Sequence, residues 1–171
     1  PKDTTDRNRT SPFAFTGNKF EFRMLGSAAS VSGPNTVINA AVAESLRIFA
    51  DELENASDFE WALHELIKRT ITQHKRIIFN GNGYDDKWLA EAKKRGLLNL
   101  KTTPDALPLY LAEKNISLFT SHKIFTEKEM YSRYEILQES YCKIIGIEAK
   151  TMVDMALPQI LPAALRYTRD L

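Results

Sequence analysis

Asn18-Lys19-Phe20-Glu21-Phe22-Arg23-Met24 alternates polar and apolar side chains without a break. A strand sends successive side chains to opposite faces. Phe20, Phe22 and Met24 are therefore expected on one face, turned toward a core, with Lys19, Glu21 and Arg23 on the other. An acid between two bases on a supported strand is a sensible platform for a divalent ion and anionic oxygens. The carboxylate can ligate the ion, and the bases neutralise phosphate or carboxylate charge. A half-exposed strand with a merely solvated polar face produces the same pattern, so alternation alone leaves both readings open.

Outward from that strand the chain reads as mostly helical. Helix one is expected from Asn35 or Thr36 to about Glu54, with Val37, Ile38, Ala41, Val42, Leu46, Phe49 and Leu53 at helical spacing. It should pack beneath the strand. Ser57-Asp58-Phe59-Glu60 has the form of a capping box for a second helix. The buried stripe of that helix would include Leu63, Leu66, Ile67, Ile71, Ile77 and Ile78, with His74 as a core histidine bonded to backbone. Asn80-Gly81-Asn82-Gly83 reads as a turn and lacks phosphate-loop spacing.

Asp85 should cap a short helix closed by Lys93, Lys94 and Arg95 ahead of Gly96. Those three bases fit a solvated helix end better than an anion patch. Thr103-Pro104-Asp105 reads as the cap-then-proline start of another helix, with Thr103 as the cap, and Ile116-Ser117-Leu118-Phe119 is a short strand or a buried linker. Thr126-Glu127-Lys128-Glu129 is a second capping box. It opens a long helix with Met130, Tyr134, Leu137, Tyr141, Ile144 and Ile145 inward. Gly146 is expected to break that helix into a hairpin, the last arm kinked at Pro158 and Pro162. The fold class is α+β and predominantly α-helical: a short N-terminal antiparallel β segment followed by packed helices.

Composition bounds the function. The 171 residues hold 23 Lys and Arg against 22 Asp and Glu, so there is no strong field for nucleic acid or a membrane surface. No basic stripe with interleaved aromatics is present, and no apolar run approaches spanning length. The single cysteine, Cys142, excludes an intrachain disulfide and fits a reducing, cytoplasmic compartment. Its helical neighbours Tyr141, Ile144 and Ile145 point to a buried, inert thiol. The first residues, Pro1-Lys2-Asp3-Thr4-Thr5, carry neither initiator methionine nor secretory segment, so the chain is expected to begin inside a longer polypeptide.

The whole segment from Arg7-Asn8-Arg9-Thr10-Ser11 through Phe13-Ala14-Phe15-Thr16-Gly17 to Arg23 resembles glutamine synthetase, more narrowly its long type III class. The similarity continues through Gly33-Pro34-Asn35-Thr36, Ile78-Phe79-Asn80-Gly81-Asn82-Gly83-Tyr84 and Leu97-Leu98-Asn99-Leu100-Lys101-Thr102-Thr103-Pro104. The resemblance implies a glutamate–ammonia ligase using ATP and Mg²⁺ or Mn²⁺, with glutamate and ammonia as substrates and a ring-shaped homo-oligomer. It implies that Arg9 contacts the transferring phosphate and that Lys19 lies near the nucleotide phosphates. Glu21 would ligate the metal bridging those phosphates, and Arg23 would hold the substrate glutamate's carboxylate. Shorter classes carry a further arginine where this chain has Phe13, Ala14 and Phe15. They also have an Asn-Pro-Tyr turn in place of Gly33-Pro34-Asn35-Thr36, and both departures favour type III.

The resemblance divides the chain into residues 1–54, the end of a catalytic domain, and residues 55–171, a helical C-terminal region. The other metal ligands belong to segments expected before Pro1, so this piece alone should be inactive. A different reading makes residues 55–171 a non-catalytic oligomerisation or interaction module.

Overall fold

A computed structural model describes residues 13–15, 19–23, 26, 29–79, 83 and 85–171. Arg9, Met24 and most of the Asn80–Gly83 turn lie outside them. The chain forms two compact units, Pro1–Asn99 and Leu100–Leu171.

In the first unit, β1 (Phe13–Phe15) and β2 (Phe20–Phe22) pair antiparallel, Phe13 opposite Phe22 and Ala14 opposite Glu21. Phe13 and Phe20 stack with ring centroids 4.9 Å apart and planes 6° from parallel. The expected core does not close over this face: Phe20 is 60% exposed and Phe22 45%. A two-stranded ribbon has one apolar face and too little area to cover it.

Helix α1 (Ser32–Leu53) begins three residues before the expected start. Pro34 does not prevent this, because first-turn N–H groups lack helical partners in any case. α2 (Phe59–His74) starts at Asp58, whose side chain accepts from the Trp61 N–H, so the cap is the aspartate and not Ser57. An aspartate there also meets the positive end of the helix dipole. Ala40 of α1 and Leu66 of α2 are buried, and Arg69 pairs with Glu52 at 2.6 Å between the two helices. Most of the expected α2 stripe is uncovered: Leu63 is half-buried, but Ile67, Ile71, Ile77 and Ile78 are exposed, and so is His74. A helix end with no layer over it leaves an imidazole in water, whatever its apolar neighbours.

A 3₁₀ turn (Lys75–Ile77) leads toward α3 (Asp86–Lys94), capped by Asp85 as expected. Its end is a Schellman motif: Gly96 N–H bonds Lys93 O, Leu97 N–H bonds Ala92 O, and Gly96 takes φ +71°.

In the second unit, α4 (Thr103–Ala106) is capped by Thr102, one residue earlier than expected, and passes into a 3₁₀ segment, Leu107–Leu111. Residues 116–119, expected as a strand or linker, lie inside α5 (Glu113–Ser121). Four residues with three apolar side chains have no decisive period, and as a helix the segment buries Phe119. The unit's small core is Phe119 with Met130, the latter fully buried, flanked by Tyr110 and Phe125 at centroid distances of 6.4 and 5.4 Å from Phe119. α6 (Glu127–Met155) opens with the expected capping box, both reciprocal bonds formed.

α6 then runs straight through Gly146, so no hairpin forms there. A mid-helix glycine costs about 1 kcal/mol and does not by itself end a helix. Helical backbone persists through a π turn (Ala156–Ile160), which contains Pro158, into α7 (Leu161–Asp170). The irregularity falls where the proline lacks an N–H. Without a returning arm, Leu137, Ile144 and Ile145 stay exposed, and Cys142 is exposed rather than buried.

Candidate active-site strand

β2 positions the candidate residues through its pleat. Glu21 and Arg23 are two apart, hence on one face, and an Arg23 Nη donates to Glu21 Oε2 at 3.0 Å. Both side chains are about three-quarters buried, at 27% and 25% exposure. Their pairing is charge-assisted and part-buried, and for a pair still open to solvent the cost of ordering two long side chains offsets most of the attraction. The contact therefore orients the groups more than it stabilises the ribbon. Lys19 stands one residue before β2 and is exposed. Arg9 lies outside the described residues. The structure thus brings together the acid and the second of its flanking bases.

The opposite face is apolar. Phe13, Phe20 and Phe22 line a cleft of about 550 Å³ together with Pro34, Ile38 and Val42 of α1. This is the expected approach of the first helix to the strand, though it leaves an open cleft rather than a sealed layer. Phe13 and Pro34 are lining residues that the sequence pattern of β2 and helix one did not place there. The signal for Pro34 was the spacing Pro34, Ile38, Val42, one stripe at i, i+4, i+8. Gly26 and Ala29 line the same cleft, so the small-residue loop borders the apolar side of the ribbon.

Among the described residues no three His, Cys, Asp or Glu side chains converge as a metal cluster. A magnesium-like ion takes about six oxygen ligands. Glu21 can supply one of them, and the described residues do not complete a shell. No helix among the described residues is long and apolar enough to cross a membrane.

A family model described as the glutamine synthetase C-terminal domain matches residues 62–171. The chain is 48% identical over 174 residues to a type-3 glutamine synthetase of Dictyostelium discoideum, covering 100% of this chain and 24% of that protein. It is 46% identical over 179 residues to a glutamine synthetase of Butyrivibrio fibrisolvens and 40% identical over 173 residues to one of Bacteroides fragilis. Each of these alignments covers 99% of this chain and 24% of the relative. The chain spans about a quarter of the length of the curated relatives it matches.

Proposed function

The chain belongs to the glutamine synthetase family, with its type III likeness carried by the Dictyostelium relative, and we propose that it supplies one wall of that family's active site. In the proposed reaction a side-chain carboxylate oxygen of glutamate attacks the γ-phosphorus of ATP, and ADP leaves. Ammonia then attacks the acyl carbon, phosphate leaves with the bonding pair, and the new amide nitrogen gives up a proton.

Within this reading Arg23 binds the carboxylate of glutamate, for which a planar fork of five N–H donors is suited. Lys19 and Arg9 face phosphate oxygens, where fixed positive charge lowers the cost of bringing anions together. Glu21 would help hold a divalent ion, Mg²⁺ or Mn²⁺, together with carboxylates from elsewhere in the assembled enzyme. Such an ion, when bound, neutralises phosphate charge. The single observation that carries the proposal is the shared polar face of β2, where Glu21 and Arg23 meet at 3.0 Å.

The proposed division keeps residues 1–54 with the catalytic domain and residues 55–171 as a helical region that helps form a homo-oligomer. Exposed apolar side chains along α6 and α7, among them Ile144, Ile147 and Leu165, favour that docking role. A cytoplasmic setting fits the lone Cys142.

The experiment places substitutions in a full-length glutamine synthetase that carries this sequence. Arg23→Lys keeps charge and loses the fork, so KM for glutamate should rise by about tenfold or more. Glu21→Gln should raise the divalent-ion concentration needed for half-maximal rate. Unchanged kinetics in both variants, with assembly intact, would overturn the proposal. The 171-residue chain alone should form no γ-glutamyl product from ATP, glutamate and ammonia.

A further inference from the structure

Residues 71–96 hold six Lys and Arg against three Asp and Glu, in a chain whose net charge is only +1. A solvated helix end accounts for Lys93 and Lys94, which complement the negative end of α3. It does not account for what the fold does with the other bases. Lys75, Arg76 and Arg95, about twenty positions apart in sequence, line one open groove of about 740 Å³. Ile71, Thr72 and Ile78 line it as well.

Arg95 is fixed in place. Its Nε donates to Glu91 Oε1 at 2.7 Å, and one Nη donates to Ile78 O at 3.1 Å and Arg76 O at 3.4 Å. Its guanidinium lies 5.4 Å from the Trp88 ring centroid, and Trp88 stacks on Phe79 at 3.8 Å. These bonds tie the end of α3 to the 3₁₀ turn that carries Lys75 and Arg76. Glu91 offsets the charge of Arg95, but neither Lys75 nor Arg76 has an acidic partner among the described residues. Two uncompensated cations held beside a rigid third, against an apolar wall, form a receptor for negative charge on a small carbon skeleton.

We propose that this groove binds a small, multiply charged oxyanion, either a phosphate ester or a di- or tricarboxylate. The Arg76 fork and the Lys75 ammonium meet the anionic oxygens, while Ile71 and Ile78 face the ligand's carbon. Among the described residues the groove shares no lining residue with the cleft between β2 and α1, and the inference stands apart from the proposed catalysis.

Trp88 serves as the reporter, because the chain has two tryptophans and Trp61→Phe leaves Trp88 alone. The Trp61→Phe chain is titrated with pyrophosphate and, separately, with citrate, each to millimolar concentration at constant ionic strength set by chloride. A saturable change in Trp88 emission is expected for at least one probe. Response to pyrophosphate alone assigns a phosphate ester, and response to citrate alone assigns a polycarboxylate. Lys75→Gln with Arg76→Gln should weaken that binding at least about tenfold, whereas Lys93→Gln with Lys94→Gln, the same charge loss outside the groove, should weaken it less than about threefold. Circular dichroism checks folding, and Lys75→Gln alone, expected several-fold weaker, replaces the first pair should it unfold. No saturable response to either probe overturns the proposal. Equal losses in the two double variants overturn it as well, since they would show only a diffuse field.

Discussion

Gly146→Ala gives the cleanest physical test, because its sign separates two structures. If α6 is continuous, the new methyl enters open space: a Cβ at Gly146 would have no atom within 4 Å beyond the helix's own backbone. The substitution then removes only the glycine's excess unfolded-state entropy, and alanine should stabilise the helix by about 1 kcal/mol. That corresponds to about a fivefold rise in protection for amides near position 146. If the opening is shared by the whole unit, it corresponds to a midpoint shift of about 4–8 °C for a domain of this size. The assay is hydrogen exchange read peptide by peptide across α6, with thermal unfolding by circular dichroism beside it. Gly96→Ala supplies the opposite control. At φ +71° a side chain is strained, and its Cβ would lie 3.6 Å from an Arg76 Nη, so that change should destabilise by about 1 kcal/mol. Loss of protection around 146 in Gly146→Ala would refute the reasoning, since it would mean that the glycine takes a conformation alanine resists.

Met130→Ala removes the one fully buried large side chain of the second unit and should cost about 3 kcal/mol, measured by denaturant unfolding. Met152→Ala, at an exposed site, should cost less than about 0.5 kcal/mol, and equal effects would deny that Met130 anchors a core. The Thr126 capping box carries a pH dependence. Thr126 N–H and then the Thr126 hydroxyl donate to Glu129, holding its carboxyl below the usual carboxylate range. With the folded value depressed, the stabilisation is fully present above the unfolded carboxylate's range and is lost as pH falls through the folded value. Glu129→Gln should retain the geometry and lose that acid-side fall, as read from unfolding midpoints across a pH series.

Where the local chain dictates structure, the residues were legible. Asp85, the lysine-rich end of α3 with Gly96, and the Thr126–Glu129 box all appear as the sequence pattern indicates. Each is settled by bonds between residues two to five apart in sequence. The polar face of β2 belongs with them, since a pleat alone brings Glu21 to Arg23. The two shifted caps, Asp58 for Ser57 and Thr102 for Thr103, show the limit of that logic. Neighbouring hydroxyl and carboxylate groups compete for the same N–H donors, and one residue of phase decides between them.

Burial was another matter. Periodicity marks which side chains could share a face, and it correctly grouped Leu66 with Ile67 and Ile71, or Met130 with Leu137 and Ile144. Only Leu66 and Met130 of these are buried. A stripe is covered when another layer meets it, and the stripe itself does not encode that layer. The same reason put His74 and Cys142 in water and left Phe20 and Phe22 half open.

By itself, then, the sequence determined the short-range matters: helix ends, the strand's two faces, the charge pairing on one of them, and the family likeness carried by its residues. Tertiary structure alone decided which apolar stripes find cover. It alone drew Arg95 across to Lys75 and Arg76. Short-range bonds depend on spacing along the chain, whereas burial and long-range convergence depend on surfaces that meet only once the chain has folded.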